Sequence, residues 1–421
     1  MALPAGVEVI ATLLAAFTLA SVDAGAGTTG VLVEDHRVPL VEIRLQFPVG
    51  TASTWAMEHD AQEAFETAMA DPDRALRHRA DRLAAGIALS MDRWSAQIQA
   101  SCHKRDVPAV LQLLRDILEN QRLDRGELKR RRREAAFARQ LQEQNADTAL
   151  AKRAAELLFD PNDARRRAWD PPRGSLDPSR LVRVRREIVR LPGRIAGFAG
   201  DVTAAEAKEW ATLVLPPAAT TSPAGLAPHF LKTATALPAR TEVRIPKLTQ
   251  VFYWFGRESL PIDDTSYPML LLASEVLGGH FYSRVSVALR HQSGDTYGAS
   301  AQLPRSKETG VFALTTFTRA DNAAEVERKL RAVLLQFHDN GITAEELAES
   351  QGSISGERAF GRQAPGQLLG DALWEQARGL PRGIRDDLAT RVSQLTLDQV
   401  NRFVTEWFDP ARFGLLMATA R

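Results

Sequence analysis

Val41-Glu42-Ile43-Arg44-Leu45-Gln46-Phe47 alternates apolar and polar residues at period two, which predicts a strand with one buried face. Val31-Leu32-Val33 predicts a shorter strand just before it. A helix is expected over Ala61 to Ala70, a strand over Trp94 to Ser101, and an amphipathic helix over Val107 to Leu118. The same succession returns later as strand Val243 to Phe255, helix Tyr267 to Val276, strand Gly310 to Thr318 and amphipathic helix Ala324 to Phe337. Each series ends on a helix and a terminal strand, Gly197 to Asp201 and Phe413 to Ala418.

Two short motifs fix the repeat. Leu123-Asp124-Arg125-Gly126-Glu127-Leu128 answers Ile342-Thr343-Ala344-Glu345-Glu346-Leu347, and Leu176-Asp177-Pro178-Ser179-Arg180-Leu181 answers Leu395-Thr396-Leu397-Asp398-Gln399-Val400, both at an offset of 219 residues. In the first pair an Asp or Thr stands at the N-cap with an acidic residue in the first turn. Leu215 to Ala239, rich in Pro, Ala and Thr, reads as a linker. The pattern predicts an α+β protein of two duplicated domains, residues 27–214 and 240–421, joined by 215–239. Each domain is expected to hold a mainly antiparallel sheet with helices packed on one face.

Composition narrows the class. Of 421 residues, 44% are hydrophobic and 25% charged, which excludes a disordered chain, a fibre and a multi-span membrane protein. The formal charge of +1 supplies no bulk field for nucleic acid or an anionic membrane. A lone cysteine, Cys102, excludes an intrachain disulfide framework and a cysteine-held zinc. Val9 to Ala20 is apolar but too short to span a bilayer, and Ala24-Gly25-Ala26 offers a small-x-small cleavage site. Residues 1–26 are therefore expected to be an export signal, although Glu8 and the lack of Lys or Arg leave its basic flank missing. The mature chain is expected in the periplasm or outside the cell, with no membrane span.

Three segments carry a family resemblance: Phe47-Pro48-Val49-Gly50-Thr51, Leu277-Gly278-Gly279-His280-Phe281-Tyr282-Ser283-Arg284, and Leu289-Arg290-His291-Gln292-Ser293-Gly294-Asp295-Thr296-Tyr297-Gly298. With the duplication, they resemble the pitrilysin/insulinase peptidase family, which includes the mitochondrial processing peptidase and bacterial relatives. The resemblance covers essentially the whole mature chain. It implies a clam-shaped pair of α+β domains enclosing a peptide-binding chamber.

That family holds zinc with H-x-x-E-H on the first helix of its first half and a glutamate on a later helix, the motif's own glutamate serving as general base. No H-x-x-E-H occurs in this chain. Aligned on Gly50-Thr51, the motif falls on Ala64-Phe65-Glu66-Thr67-Ala68. Ala64 and Ala68 replace the histidines and Thr67 replaces the base. In Arg133 to Gln140, Arg139 stands at the later ligand position. Methyl groups offer no lone pair, and a fixed cation repels Zn²⁺. Trp55-Ala56-Met57-Glu58-His59 keeps only two letters of the motif and lies too early, so His59 reads as a solvent-facing loop residue. A substitute set drawn from Glu66, Glu134 and Glu143 offers oxygen alone, a poor donor set for zinc. No cofactor is expected in this chain.

The second half keeps Arg290 and Tyr297, seven residues apart. The resemblance implies that they reach a zinc site in the other half or in a partner subunit, and there contact the substrate backbone and the developing oxyanion. Gly278 and Gly279 are expected to bend the backbone ahead of the helix carrying Arg290. The leading expectation is a non-catalytic, substrate-orienting subunit of a heterodimeric zinc metallopeptidase acting on peptides, with zinc in a homologous partner. The alternative is a pseudopeptidase that binds peptides or scaffolds an assembly without proteolysis. Lys129 to Arg133 and Arg165 to Arg167 read as solvated helix faces and not as nucleic-acid sites. Phe252-Tyr253-Trp254-Phe255 reads as a buried strand whose edge is a place for an extended peptide to pair.

Overall fold

Two sheets repeat one strand plan. A computed structural model describes residues 18–25, 27–69, 74–120, 122–169, 177–231, 236–291 and 294–420. The first sheet contains β1 (Thr18–Asp23), β2 (Thr28–Glu34), β3 (Leu40–Phe47), β4 (Gly86–Met91), β5 (Ala96–His103) and β6 (Arg194–Gly200), in the order β1-β2-β6-β3-β5-β4. The second contains β7 (Arg240–Arg244), β8 (Gln250–Glu258), β9 (Ala299–Gln302), β10 (Val311–Arg319) and β11 (Gly414–Thr419), in the order β7-β11-β8-β10-β9. β2 runs parallel to β6 as β7 does to β11, and the other neighbours are antiparallel. Without β1 the two orders are the same, so the duplication is present in the topology. The fold is α+β, with two mixed, mainly antiparallel sheets.

The expected export signal falls largely on residues 1–17, outside the described residues. Its later part forms β1, with Val22 opposite Gly30. The single strand expected from Val243 to Phe255 is two strands, because Pro246 and then Lys247, at φ 65°, break it. The edge strands β4 and β9 carry too few buried positions to announce themselves in the sequence.

The helices used below are α1 (Thr54–His59), α2 (Ala61–Glu66), α3 (Val107–Glu119), α4 (Arg125–Gln144), α5 (Ala146–Leu158), α6 (Pro178–Val189), α7 (Ala204–Val214), α8 (Tyr267–Ser274), α9 (Ala323–Asn340), α10 (Ala344–Phe360), α11 (Pro365–Ala377) and α12 (Leu397–Trp407). The repeated motifs are their start signals. Asp124 accepts from the Glu127 amide at 2.7 Å at the start of α4, and Thr343 with Glu346 caps α10 reciprocally. Asp177 accepts from the amides of Ser179 and Arg180 at α6, and Thr396 with Gln399 closes a capping box at α12.

One face of each sheet is covered by helices of its own half. Ile43, Leu45, Phe47, Ile98 and Phe198 pack with Leu111 and Leu114 of α3 and Leu181 and Ile188 of α6. Tyr253, Phe255, Phe312 and Leu415 pack with Leu330 and Phe337 of α9 and Val404 of α12. The other face of each sheet takes a helix from the opposite half. α11 sets Leu368, Leu369 and Leu373 against Val31, Val33, Ile195 and Ala199. α5 sets Leu150, Ala154 and Leu158 against Trp254, Leu416 and Ala418. The chain accordingly forms two compact units, residues 1–135, 170–229 and 359–383, and residues 136–169, 230–358 and 384–421.

This exchange changes the reading of β3. Glu42, Arg44 and Gln46 look like a solvent face in the sequence. In the structure they lie under α11, where Gln46 donates to the Leu373 carbonyl at 3.1 Å and Arg44 pairs with Glu42 at 2.6 Å. Gly366 and Gly370 permit the approach: a Cβ on Gly370 would stand 2.4 Å from the Arg44 guanidinium. Leu369 is fully buried, whereas Leu335 on α9 is 50% exposed. Leu369→Ala should therefore lower stability in denaturant titration by about 2–5 kcal/mol. Leu335→Ala should change it by no more than about 0.5 kcal/mol. Equal effects would mean that α11 is not part of the first unit's core.

Candidate functional site

Ala64, Thr67 and Ala68 lie on α2 and the 3₁₀ turn Thr67–Met69 that ends it, all three buried. Ala64 is part of the main core of the first unit. The Thr67 hydroxyl donates to the carbonyls of Glu63 at 2.8 Å and Ala64 at 3.1 Å. This back-bonding occupies the only polar atom among the three side chains and tightens the helix end. Arg139 is on α4, where every residue from Arg133 to Gln144 is exposed. The other end of α4 is tied to α2: Arg132 pairs with Glu63, and Arg131 donates to the Glu66 carbonyl at 3.2 Å. These positions do not fit zinc, since they supply two methyls, an engaged hydroxyl and a guanidinium. Among the described residues, no three His, Cys, Asp or Glu side chains are grouped to hold an ion. Glu66 and Glu134 of the substitute set are exposed and engaged by Gln62 and Arg130, and Glu143 is exposed.

Two expectations in this region are corrected. His59 is not a loop residue. It ends α1, half-buried, with Nδ1 2.9 Å from the Trp55 carbonyl and its ring stacked on Trp55 at 4.6 Å. The helix expected from Ala61 is preceded by this extra turn of α1. The joint between them is Asp60, at φ 50° and ψ 45°. Asp60 is 2% exposed, and among the described residues neither carboxyl oxygen has a hydrogen-bond partner. Burial, followed by the charge of Glu63, pushes its pKa up to about 6, against the pull of Arg180 and Arg132.

The basic runs divide. Arg130, Arg131 and Arg132 are paired with Glu127, Glu134 and Glu63 on or beside α4. Arg165, by contrast, is not on a solvated face. Its side chain is 10% exposed, pairs with Asp163 at 2.7 Å, donates to the Thr309 carbonyl at 3.0 Å and lies 3.8 Å over the Phe159 ring. Tyr253, Trp254 and Phe255 are buried as expected and Phe252 is half-buried, but β8 is central, between β11 and β10, and has no edge for a peptide.

In the second unit, α8 runs into a π-helical turn, Glu275–Gly279, and a second such turn, Val287–His291, carries Arg290. π turns widen a helix locally and recur at functional sites. Neither Gly278 nor Gly279 has positive φ, and the turn ends at Gly279 with His280 extended at φ -136° and ψ 174°. A Cβ on Gly278 would lie 2.4 Å from the Ala301 amide nitrogen, so the residue lets the turn press against β9. Arg290 is exposed, its guanidinium 4.4 Å over the Phe281 ring, and Tyr297 is 86% exposed. The loop between them is braced. The amides of Asp295 and Thr296 donate to the Leu289 carbonyl, and the Asp295 carboxylate accepts from Asn322 and Lys329. The Gly298 carbonyl accepts from Thr316 at 2.9 Å. Arg290 and Tyr297 thus leave one braced loop in the second unit. Beside Arg290 are Phe281 and, against it, Tyr282, 49% and 74% exposed, residues with no role expected from the sequence. Their signal was an aromatic pair directly after Gly-Gly-His.

The repeated strand plan defines a duplicated α+β protein in which, among the described residues, no group of His, Cys, Asp or Glu side chains is placed to hold a metal. Residues 195–353 match the family model of the peptidase M16 inactive domain. A solved peptidase M16 inactive domain from Pseudomonas fluorescens superposes with TM-score 0.80 at 16% identity, covering 96% of this chain and 98% of that one. A protease from Helicobacter pylori gives TM-score 0.78 at 14% identity, covering 96% and 100%. The periplasmic protease PqqL from Escherichia coli gives 0.71 at 13%, covering 96% of this chain and 45% of that one. An uncharacterized zinc protease from Streptomyces coelicolor is 22% identical over 180 residues, 42% of this chain and 38% of that protein, so the match spans well under half the length of that curated relative. Residues 195–353 thus resemble the peptidase M16 inactive domain, the described fold is that of the solved M16 structures, and the chain contains no H-x-x-E-H. No helix among the described residues is long and apolar enough to cross a membrane.

Asp60 supplies a test of the remodelled helix. Its folded-state pKa is raised, so folding favours the protonated acid. Below about pH 4 both folded and unfolded chains hold the proton, and the penalty vanishes. It grows as pH rises through 4 to 6 and is complete above. Asp60→Asn, which keeps a residue type that tolerates the left-handed region, should raise stability at pH 7.5 by about 1–3 kcal/mol and give no gain near pH 4. A pH-independent effect in thermal unfolding would show that the carboxylate is solvated.

Proposed function

We propose that this chain is the non-catalytic, substrate-orienting subunit of a heterodimeric zinc metallopeptidase that acts on peptides. The carrying observation is the contrast between the units. The first unit has Ala64, Thr67 and Ala68 where the family's metal ligands and base would stand, while the second exposes Arg290 and Tyr297. Arginine offers a fork of donors to a peptide carbonyl or carboxylate. A phenol can donate to an oxygen that gains negative charge as an acyl carbon becomes tetrahedral. Hydrolysis itself belongs to a homologous partner that carries H-x-x-E-H, its later glutamate and zinc. The apolar run Val9 to Ala20, read as part of an export signal, and the description of PqqL as a periplasmic protease are what support a periplasmic setting.

The test is reconstitution with a zinc-bearing homologue. Peptide cleavage is expected only when both chains are present. Arg290→Ala and Tyr297→Phe should each lower kcat of the complex by about 10²–10³-fold while the complex still assembles. Full activity of the partner alone, or of complexes carrying either variant, would overturn the orienting role.

A further inference from the structure

We infer that Phe281, Tyr282 and Arg290 form a subsite on the second unit that takes an acidic residue beside an aromatic or aliphatic one within an extended peptide. This deepens the orienting role proposed above and rests on it for the peptide's further fate, though not for its binding.

The first argument is apolar. Phe281 and Tyr282 meet edge to face, with centroids 5.1 Å apart, and expose two aromatic rings, one of them under the Arg290 guanidinium. Exposed aromatic clusters of this kind mark binding surfaces. The turn that presents them is preorganised: the Ser283 amide donates to the His280 carbonyl at 3.0 Å, and the Tyr282 amide donates to His280 Nδ1 at 3.2 Å.

The second argument is charge. Arg284, one turn away, is paired with Glu346 at 2.8 Å, and Asp295 is held by Lys329. Arg290 has no carboxylate partner among the described residues, and the Phe281 ring covers one face of its guanidinium. Stacking leaves the N–H edge of the fork available, and that edge matches a carboxylate bidentately. The carboxylate comes from an internal Asp or Glu side chain and not from a chain terminus. Terminal carboxylates are held by nests of free backbone N–H groups, and here the amides of Gly294, Asp295 and Thr296 are all spent on the carbonyls of Leu289 and Arg290.

The isolated full chain is titrated, by fluorescence anisotropy, with a labelled extended peptide holding one Glu-Phe step in a Ser/Gly background. Control peptides carry Gln-Phe, Glu-Ser, or the Glu-Phe step with an amidated C-terminus. The Glu-Phe peptide should bind about tenfold more tightly than Gln-Phe, the worth of one charge-assisted hydrogen bond, and amidation should have no effect. The exposed double variant Phe281→Ser/Tyr282→Ser should unfold at the wild-type temperature and lose binding about tenfold. Equal affinity for Glu-Phe and Gln-Phe, loss on amidation, or undiminished binding by the double variant would overturn the subsite. Selective binding with no cleavage on adding the zinc-bearing homologue would remove the orienting role and leave the subsite standing. Cleavage without the selectivity would do the reverse.

Discussion

Each sheet in this protein has two faces to bury, and each half of the chain supplies enough helices for only one of them. Val31, Val33, Ile195 and Ala199 on one sheet, and Trp254, Leu416 and Ala418 on the other, are covered by a helix that the opposite half contributes. The exchange is reciprocal because the chain is duplicated: α5 and α11 occupy equivalent places in the two series. Neither unit can close its core from its own half of the sequence. The small residues of α11 and the polar row of β3 follow from the same need, since a helix can settle on Glu42, Arg44 and Gln46 only where Gly366 and Gly370 admit it.

The same economy explains what became of the metal positions. Ala64 packs in the first unit's core, and Thr67 turns its hydroxyl back on its own helix. Arg132 pairs with Glu63 and Arg131 donates to the Glu66 carbonyl, so α4 is tied to α2 by one ion pair and one hydrogen bond. Asp60 is the residue that strains this arrangement, a buried acid at the joint of α1 and α2. In the second unit Arg290 and Tyr297 are exposed, and the amides of Asp295 and Thr296 between them donate to the Leu289 carbonyl.

Much of the strand plan was legible because its period-two runs and N-caps are local signals, as in Val41 to Phe47 and at Asp124, Asp177, Thr343 and Thr396. The absence of zinc ligands was legible for the same reason, since a missing histidine is visible without a fold. Long-range packing was not legible. Glu42, Arg44 and Gln46 look solvent-facing because nothing near them announces α11, more than 300 residues away. Arg165 looks like one of three surface arginines until Asp163, Thr309 and Phe159 gather around it. The glycines at 278 and 279 were read as a bend because glycine freedom is the commoner signal, and the closeness of Gly278 to Ala301 is visible only in the fold. His59 was read as a loop residue because the extra turn of α1 ends at Asp60, whose left-handed backbone no local pattern foretells.

The proposal that this chain lends its second unit to a metal-bearing partner rests on Ala64, Thr67, Ala68 and Arg139 standing where the family's metal ligands and base would be. Its most direct test is the zinc content of the purified full-length protein by elemental analysis, alone and in complex with a homologue bearing H-x-x-E-H. The account predicts negligible zinc in the isolated chain and one zinc per heterodimer, lost when the partner's histidines are replaced. Stoichiometric zinc in the isolated chain would contradict it.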